Sequence, residues 1–285
     1  MLVQGSGNPP RSRSAVRALS RFGPERRNEL PRGARRGLGA RPQTVQYRTL
    51  MRRASEEVGA EIAESLPGEP WSAAWTADKV IETLGPLASD ERQARIQSVI
   101  DQRLESVTVL LDAPHDPHNG SAVMRSCDAF GVPTVHVVAR VESFMIARRI
   151  TKGTERWLEV HDHKTPEAAA QHLLARGYEL VATHPQGELT PPDLAHIPRL
   201  ALLLGNEHDG ICEPLLRHAK RAVRIPMRGF VESLNVSVAA AVLLSAATQG
   251  RAGDLPHAEK RRLYARALFR SVPRAGEILA ASRPR

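Results

Sequence analysis

From residue 107 onward the chain alternates between two textures. Short apolar, β-prone runs at 107–111, 134–138, 180–183, 200–204 and 222–225 are too brief for helices and have few polar alternates, the pattern of parallel strands buried on both faces. Between them, 121–130, 166–176 and 213–219 read as helices, so strands alternating with helices predict a doubly wound α/β sheet. Upstream, 76–103 predicts a helical stretch with Ile96, Val99 and Ile100 at helical spacing and Arg92, Arg95 and Arg103 on other faces. A short helix is predicted at 47–65, broken by Pro67-Gly68-Glu69-Pro70. Downstream, 237–248 is an apolar, alanine-rich helix; a basic helix follows Gly250 at about 257–269, and then a shorter one. The chain therefore divides into an extension (1–70), a helical segment (76–105), an α/β domain (106–250) and a C-terminal helical extension (251–285).

Composition narrows the class. A chain of 285 residues with 41% hydrophobic content can bury a sizeable core. No apolar run approaches the roughly 20 residues that span a bilayer, which excludes an integral membrane protein. Two cysteines, Cys127 and Cys212, make neither a disulfide framework nor a closed zinc site, and they point to a reducing, cytoplasmic setting. The net charge of +9 is unevenly placed: residues 1–53 hold thirteen arginines against Glu25 and Glu29, whereas the rest carries 27 basic and 29 acidic side chains. Rich in Arg, Gly, Pro and Ser and without apolar periodicity, that tail reads as disordered. It is open to three explanations: a nucleic-acid-binding arm, a transit peptide, or a misassigned start with a solvated tail.

Three loops of unusual composition follow predicted strands, where ligands of open α/β sheets bind. The first runs from Asp112 through Asn119-Gly120-Ser121 to Arg125 and Asp128, the second from Gly205 to Ile211, and the third from Pro226 to Ser237. Singly, each has a plain reading. Asn119-Gly120-Ser121 makes a turn and helix cap, Arg125 an ordinary helical arginine, and Ser233 or Asn235 a cap for the alanine-rich helix. Gly205 and Gly210 bracket a tight loop that lacks both the Lys-Ser/Thr of a nucleotide P-loop and the third glycine of a dinucleotide fingerprint. All three loops in one chain, each after a strand, is the informative fact.

Together these residues resemble the SPOUT superfamily of methyltransferases, and within it the TrmH-type 2'-O-ribose methyltransferases of RNA. The matching motifs are Asn119-Gly-Ser-Ala-Val-Met-Arg125, Leu204-Gly-Asn-Glu207-His-Asp-Gly210-Ile, and Ile225-Pro-Met with Ser233-Leu-Asn235-Val-Ser-Val-Ala. The resemblance spans about residues 77 to 250 and omits 1–70. Ala147-Arg-Arg-Ile-Thr-Lys-Gly-Thr-Glu-Arg-Trp157-Leu and the flanking helices are similar to the tRNA guanosine-18 branch, which favours tRNA over 23S ribosomal RNA. A catalytically inactive RNA-binding protein on the same scaffold is the other alternative, against which the intact Asn119, Arg125, Glu207 and Asn235 stand.

The resemblance implies a Rossmann-like parallel sheet with a deep trefoil knot at about 200–250, S-adenosylmethionine bound there, and a homodimer. It also implies that Thr183, Gly205, Asn206, Ile225 and Leu234 contact the cofactor, and that Arg125, Asn119, Glu207, Asn235 and Ser233 form the catalytic set. Arg125 is assigned activation of the ribose hydroxyl in the family. Because guanidinium stays protonated, either its site is unusual or it clamps a phosphate and stabilises a developing alkoxide. Candidates for RNA contact are Arg92, Arg95, Arg103, His118, Lys260, Arg261 and Arg262, whose plain reading is a set of solvated helix faces. His115, His118, His161 and His163 lack a cysteine or carboxylate at ligand spacing, so no metal site is expected. Trp157 reads as a half-buried core residue, with base stacking as the alternative.

Overall fold

The computed structural model describes residues 69–114, 116–138, 157–206 and 208–282. The tail, the predicted helix at 47–65, His115, Glu207 and most of the 147–158 stretch lie outside them. Six strands, β1 (Val107–Asp112), β2 (Thr134–Val138), β3 (Glu159–His163), β4 (Glu179–Thr183), β5 (Leu200–Leu204) and β6 (Arg221–Val223), form one sheet in the order β3-β2-β1-β5-β4-β6. Every pairing is parallel. The α/β expectation therefore holds. β3 was not foreseen: its sequence, Glu-Val-His-Asp-His, has one apolar residue, which an edge strand permits and an interior strand does not. β6 begins and ends before the predicted 222–225, because the chain leaves the sheet at Arg224.

The helices are α1 (Ala77–Leu84), α2 (Asp90–Asp101), α3 (Pro117–Ala129), α4 (Pro166–Ala175), α5 (Glu213–Leu216), α6 (Val236–Thr248), α7 (His257–Ser271) and α8 (Ala275–Ala281). The stretch at 76–103 is two helices, not one. Pro86 sits in a 3-10 turn, Gly85–Leu87, and Ser89 starts α2 afresh by accepting the Arg92 amide. The predicted turn at Asn119-Gly120-Ser121 is also corrected. Asp116 caps α3, accepting the His118 amide at 2.8 Å with Pro117 in the first turn, so Asn119 lies inside the helix.

Alternate strand residues divide into two apolar layers. Val107, Val109, Leu111, Leu202 and Leu204 pack with Val123 and Cys127 of α3 and Leu243 and Leu244 of α6; Leu110, Leu180 and Leu203 pack with Leu173 of α4 and Leu215 of α5. A third cluster, including Trp75, Leu84, Ile96, Ile100, Leu268 and Leu279, joins α1, α2, α7 and α8, so the two flanking extensions make one helical layer. Cys127 is wholly buried, and burial pushes its thiol up to about 12, as befits a small core hydrophobe.

Arg251, just past α6, ties three elements together. Its guanidinium donates to the carbonyls of Ala247 at 2.7 Å, Ile197 at 2.5 Å and Pro198 at 3.1 Å, and to Leu194 at 3.2 Å. These carbonyls close the 3-10 helix Pro191–His196 and the end of α6. Arg251→Ala strands several of them, and an unsatisfied buried polar group costs about 1–3 kcal/mol. The expected loss is about 3 kcal/mol, a fall in Tm of roughly 6–12 °C for a body of this size. Calorimetric melting of the variant checks it.

Candidate functional site

β1 and β5 are neighbours, in register from Val107↔Leu200 to Leu111↔Leu204, yet the sheet continues from β1 to β2 and β3 and from β5 to β4 and β6. This is the point where strand order reverses, and a crevice opens beyond the carboxyl ends there. Leu111, Asp112, Pro114, Asn119, Gly205 and Asn206 line it. The chain enters it through Ala113, which is held left-handed at φ 47° while its amide donates to Val138 O at 2.8 Å. A non-glycine residue in this conformation stores strain, which folds tolerate chiefly at functional sites.

Two of the predicted motif residues meet directly. Asn235 caps α6 by accepting the Ser237 amide at 2.8 Å and hydroxyl at 2.6 Å. Its amide nitrogen donates to Asn119 Oδ1 at 3.0 Å, joining motifs 116 residues apart. α3 packs against α6 beneath this bond.

The loop after β5 closes on itself. Asn206 and Gly210 exchange backbone hydrogen bonds at 3.3 and 3.1 Å, and the buried Asn206 Oδ1 accepts the His208 and Asp209 amides at 2.9 and 2.8 Å. Asn206 Nδ2 is buried with no hydrogen-bond partner among the described residues, a donor left for a ligand acceptor. A Cβ on Gly205 would lie 2.2 Å from the carbonyl carbon of Gly210, so only glycine permits this closure.

Of the other predicted cofactor contacts, Thr183 ends β4, Ile225 packs against the core just past β6, and Leu234 is exposed on the loop before α6. Arg125 lies on the exposed face of α3, and Ser233 and His118 are also exposed. Asp112 opens the first loop but carries no role in the sequence reading, although a carboxylate ending the apolar run Val-Thr-Val-Leu-Leu is a visible signal. It is 1% exposed and accepts the Cys212 amide at 2.6 Å.

The predicted RNA contacts divide. Arg92 and Arg95 are exposed on α2. Arg103 is a correction: it is buried, and its guanidinium is paired with Asp128. Arg262 is another, held by Glu69, Glu159 and Glu259, which raise its pKa against the cost of burial. Lys260 pairs with Asp101 at 2.8 Å, and Arg261 with Asp78. Together these ion pairs join α7 to α1, α2, β3 and residue 69. Trp157 packs against the helical layer with the Arg270 guanidinium 5.8 Å from its ring centre.

The histidines regroup. His161 and His163 on β3 come together with His136 on β2 and His172 on α4, at ring separations of 5.0 Å for His136–His161 and 5.3 Å for His163–His172. His136 Nδ1 and His163 Nε2 are 2.9 Å apart. Among the described residues no three His, Cys, Asp or Glu side chains are placed to hold a metal. Burial, reinforced by the neighbouring histidines, drives His136 to about 2 and His163 to about 4, and burial also lowers His161 and His172. A depressed histidine is neutral in the fold and charged in the unfolded chain below its ordinary value of 6.5. Its contribution is therefore complete above about pH 6.5 and drains as pH falls toward the folded value. Tm should drop between pH 6.5 and pH 4, and His163→Asn should flatten that drop; an unchanged slope would remove the cluster from the acid response.

Residues 106–245 match the family described as the SpoU rRNA Methylase family. The chain is 34% identical over 182 residues to a tRNA (guanosine(18)-2'-O)-methyltransferase of Escherichia coli, an alignment covering 60% of this chain and 80% of the relative. It is 36% identical over 164 residues to the Thermus thermophilus enzyme of the same name, covering 57% of this chain and 84% of that one. Among solved structures it is similar to the A. aeolicus TrmH/SpoU tRNA modifying enzyme, with 26% identity and a TM-score of 0.58 over 64% of this chain and 98% of that one.

Proposed function

The chain belongs to the SpoU methylase family, and from that premise we propose that it methylates the 2'-hydroxyl of guanosine 18 in tRNA, using S-adenosylmethionine. The observation that carries the reading is the bond between Asn235 and Asn119, the latter lining the crevice with Gly205 and Asn206. It joins the first and third motif loops beside the second. The tRNA substrate follows the names of the relatives, which align over most of their length.

The residues at the crevice suit the methyl donor in kind, and the cleft of about 10 Å³ between them must open to admit it. Leu111 and Leu204 offer apolar walls, glycine allows the backbone close to a ligand, and the buried Asn206 Nδ2 offers a donor that lacks a partner among the described residues. Thr183, Gly205, Asn206, Ile225 and Leu234 would hold the cofactor, which when bound supplies an electrophilic methyl carbon on a sulfonium. The knot is part of the proposal. It is supported by the segment after β4 passing round β6, with His184 N donating to Val223 O at 3.0 Å and Arg224 N to Leu189 O at 2.9 Å.

The chain's own residues then have distinct work. Asn235 and Asn119 hold the two helix starts in one geometry, and Glu207 and Ser233 complete the matched polar set. Arg125 brings a permanent positive charge to the ribose, where negative charge grows on the 2'-oxygen as its proton leaves. Guanidinium is a poor base, so the electrostatic role is the one its chemistry favours.

RNA docking is assigned to Arg92 and Arg95, exposed on α2 at the rim of a groove of about 740 Å³ between α2 and α7. Exposed guanidinium suits a phosphodiester backbone. A homodimer is supported by the exposed apolar residues Phe230, Val231, Leu234, Val238 and Val242, which run from the third loop along α6. Among the described residues no helix is long and apolar enough to cross a membrane, and both cysteines are free, in keeping with cytoplasmic work.

Incubation with labelled S-adenosylmethionine and, separately, bulk tRNA and ribosomal RNA tests the reading. Label in tRNA as 2'-O-methylguanosine is the expected result. Label in ribosomal RNA alone would overturn the substrate, and label in neither would overturn the activity.

A further inference from the structure

On the reading that the 205–211 loop holds the methyl donor, we infer that Asp112 is the positioning residue that fixes this loop against the segment carrying Asn119 and Arg125. Asp112 ends β1 at the switch point and is 1% exposed. Its Oδ2 accepts the amide of Cys212, one hundred residues on, at 2.6 Å. A bond this short from an amide to a buried carboxylate is of the charge-assisted kind.

The bonds that Asn206 makes are of a different kind. Asn206 accepts from His208 and Asp209 and exchanges bonds with Gly210, and these contacts close the loop on itself. Asp112 reaches from outside, at the point where the loop becomes α5. Cys212 is the residue that precedes the first turn of α5, and the carboxylate holds its amide. The next residue, Ala113, is the left-handed one that turns the chain toward Asn119. One residue pair thus governs both walls of the crevice: Asp112 sets the second loop, and Ala113 directs the first. A buried carboxylate is costly where an apolar residue would fill the space, and here it holds a backbone amide one hundred residues away.

The test compares the full-length wild type with Asp112→Ala and Asp112→Asn in three measurements: S-adenosylmethionine affinity by calorimetry, amide hydrogen exchange through 205–212, and Tm. Asp112→Ala is expected to weaken cofactor binding about tenfold or more and to speed exchange selectively in 205–212. Asp112→Asn keeps an oxygen acceptor of the same shape and should stay within about threefold of wild type. If Asp112→Ala fails to fold, Cys212→Pro takes its place, because it removes the same bond from the donor side at a φ of −67° that proline adopts. Unchanged affinity and exchange in the alanine variant would overturn the assignment. So would an equal loss in both Asp112 variants with exchange rising across the whole sheet, the mark of a merely structural role. A wild type that binds no cofactor would instead overturn the function proposed above, and exchange at 205–212 would still decide the tether.

Discussion

Arg125→Ala is expected to slow methyl transfer by about two to three orders of magnitude while leaving Tm within about 1 °C of wild type. Arg125 projects from the exposed face of α3, whose buried face is made by Val123, Met124 and Cys127, so truncation empties no core space. What is lost is a fixed charge at the place where the 2'-oxygen becomes negative, and removing one such donor typically costs a hundredfold to a thousandfold in rate. Single-turnover kinetics separates the two roles open to the side chain. A fall in the rate at saturating RNA assigns it to the developing alkoxide; a rise in the half-saturating RNA concentration with the rate intact assigns it to a phosphate. Arg125→Lys keeps the charge and loses the planar fork, so partial recovery is expected. An alanine variant that turns over normally would remove Arg125 from the site.

Gly205→Ala carries the second large effect. The added methyl would lie 2.2 Å from Gly210 C, 2.5 Å from Ile211 N and 2.6 Å from Gly210 O, all backbone atoms with no rotamer to yield. The loop must move instead, and forced overpacking of this kind costs about 1–3 kcal/mol. Taken up by the loop, that cost weakens S-adenosylmethionine binding by about tenfold to a hundredfold, readable by calorimetry. Gly210 is the internal control. A Cβ there meets nothing within 4 Å, although its φ of +68° disfavours a side chain. Gly210→Ala should therefore cost only about 1 kcal/mol, and the ratio of the two effects separates steric closure from backbone strain.

The legible parts of this chain were those in which local sequence and tertiary role coincide. Val107 to Leu111 and Leu200 to Leu204 are apolar throughout because both faces of their strands are covered, and such runs announce themselves. β3 did not, because at the edge its polar residues are tolerated, and the histidine quartet it completes draws on β2 and α4 at positions no spacing rule connects. The capping role of Asn235 was readable as a local pattern, whereas its bond to Asn119 is a product of α3 packing on α6. Arg103 and Arg262 looked like docking residues because a charged residue on a helix says nothing of the carboxylate it meets. Asp128, Glu69 and Glu159 came to them from elsewhere in the chain. The role of Asp112 escaped notice for a related reason: its partner is a backbone amide, which no sequence pattern displays.

The central claim, methylation of one ribose hydroxyl, is tested most directly with two tRNA transcripts that differ by one oxygen. One carries guanosine at position 18, the nucleotide named for the relatives, and the other 2'-deoxyguanosine there. Incubated with the protein and labelled S-adenosylmethionine, the first should take up a single methyl group and the second none. Undiminished label in the deoxy transcript would contradict the account, because the methyl would then lie on a base or on another ribose.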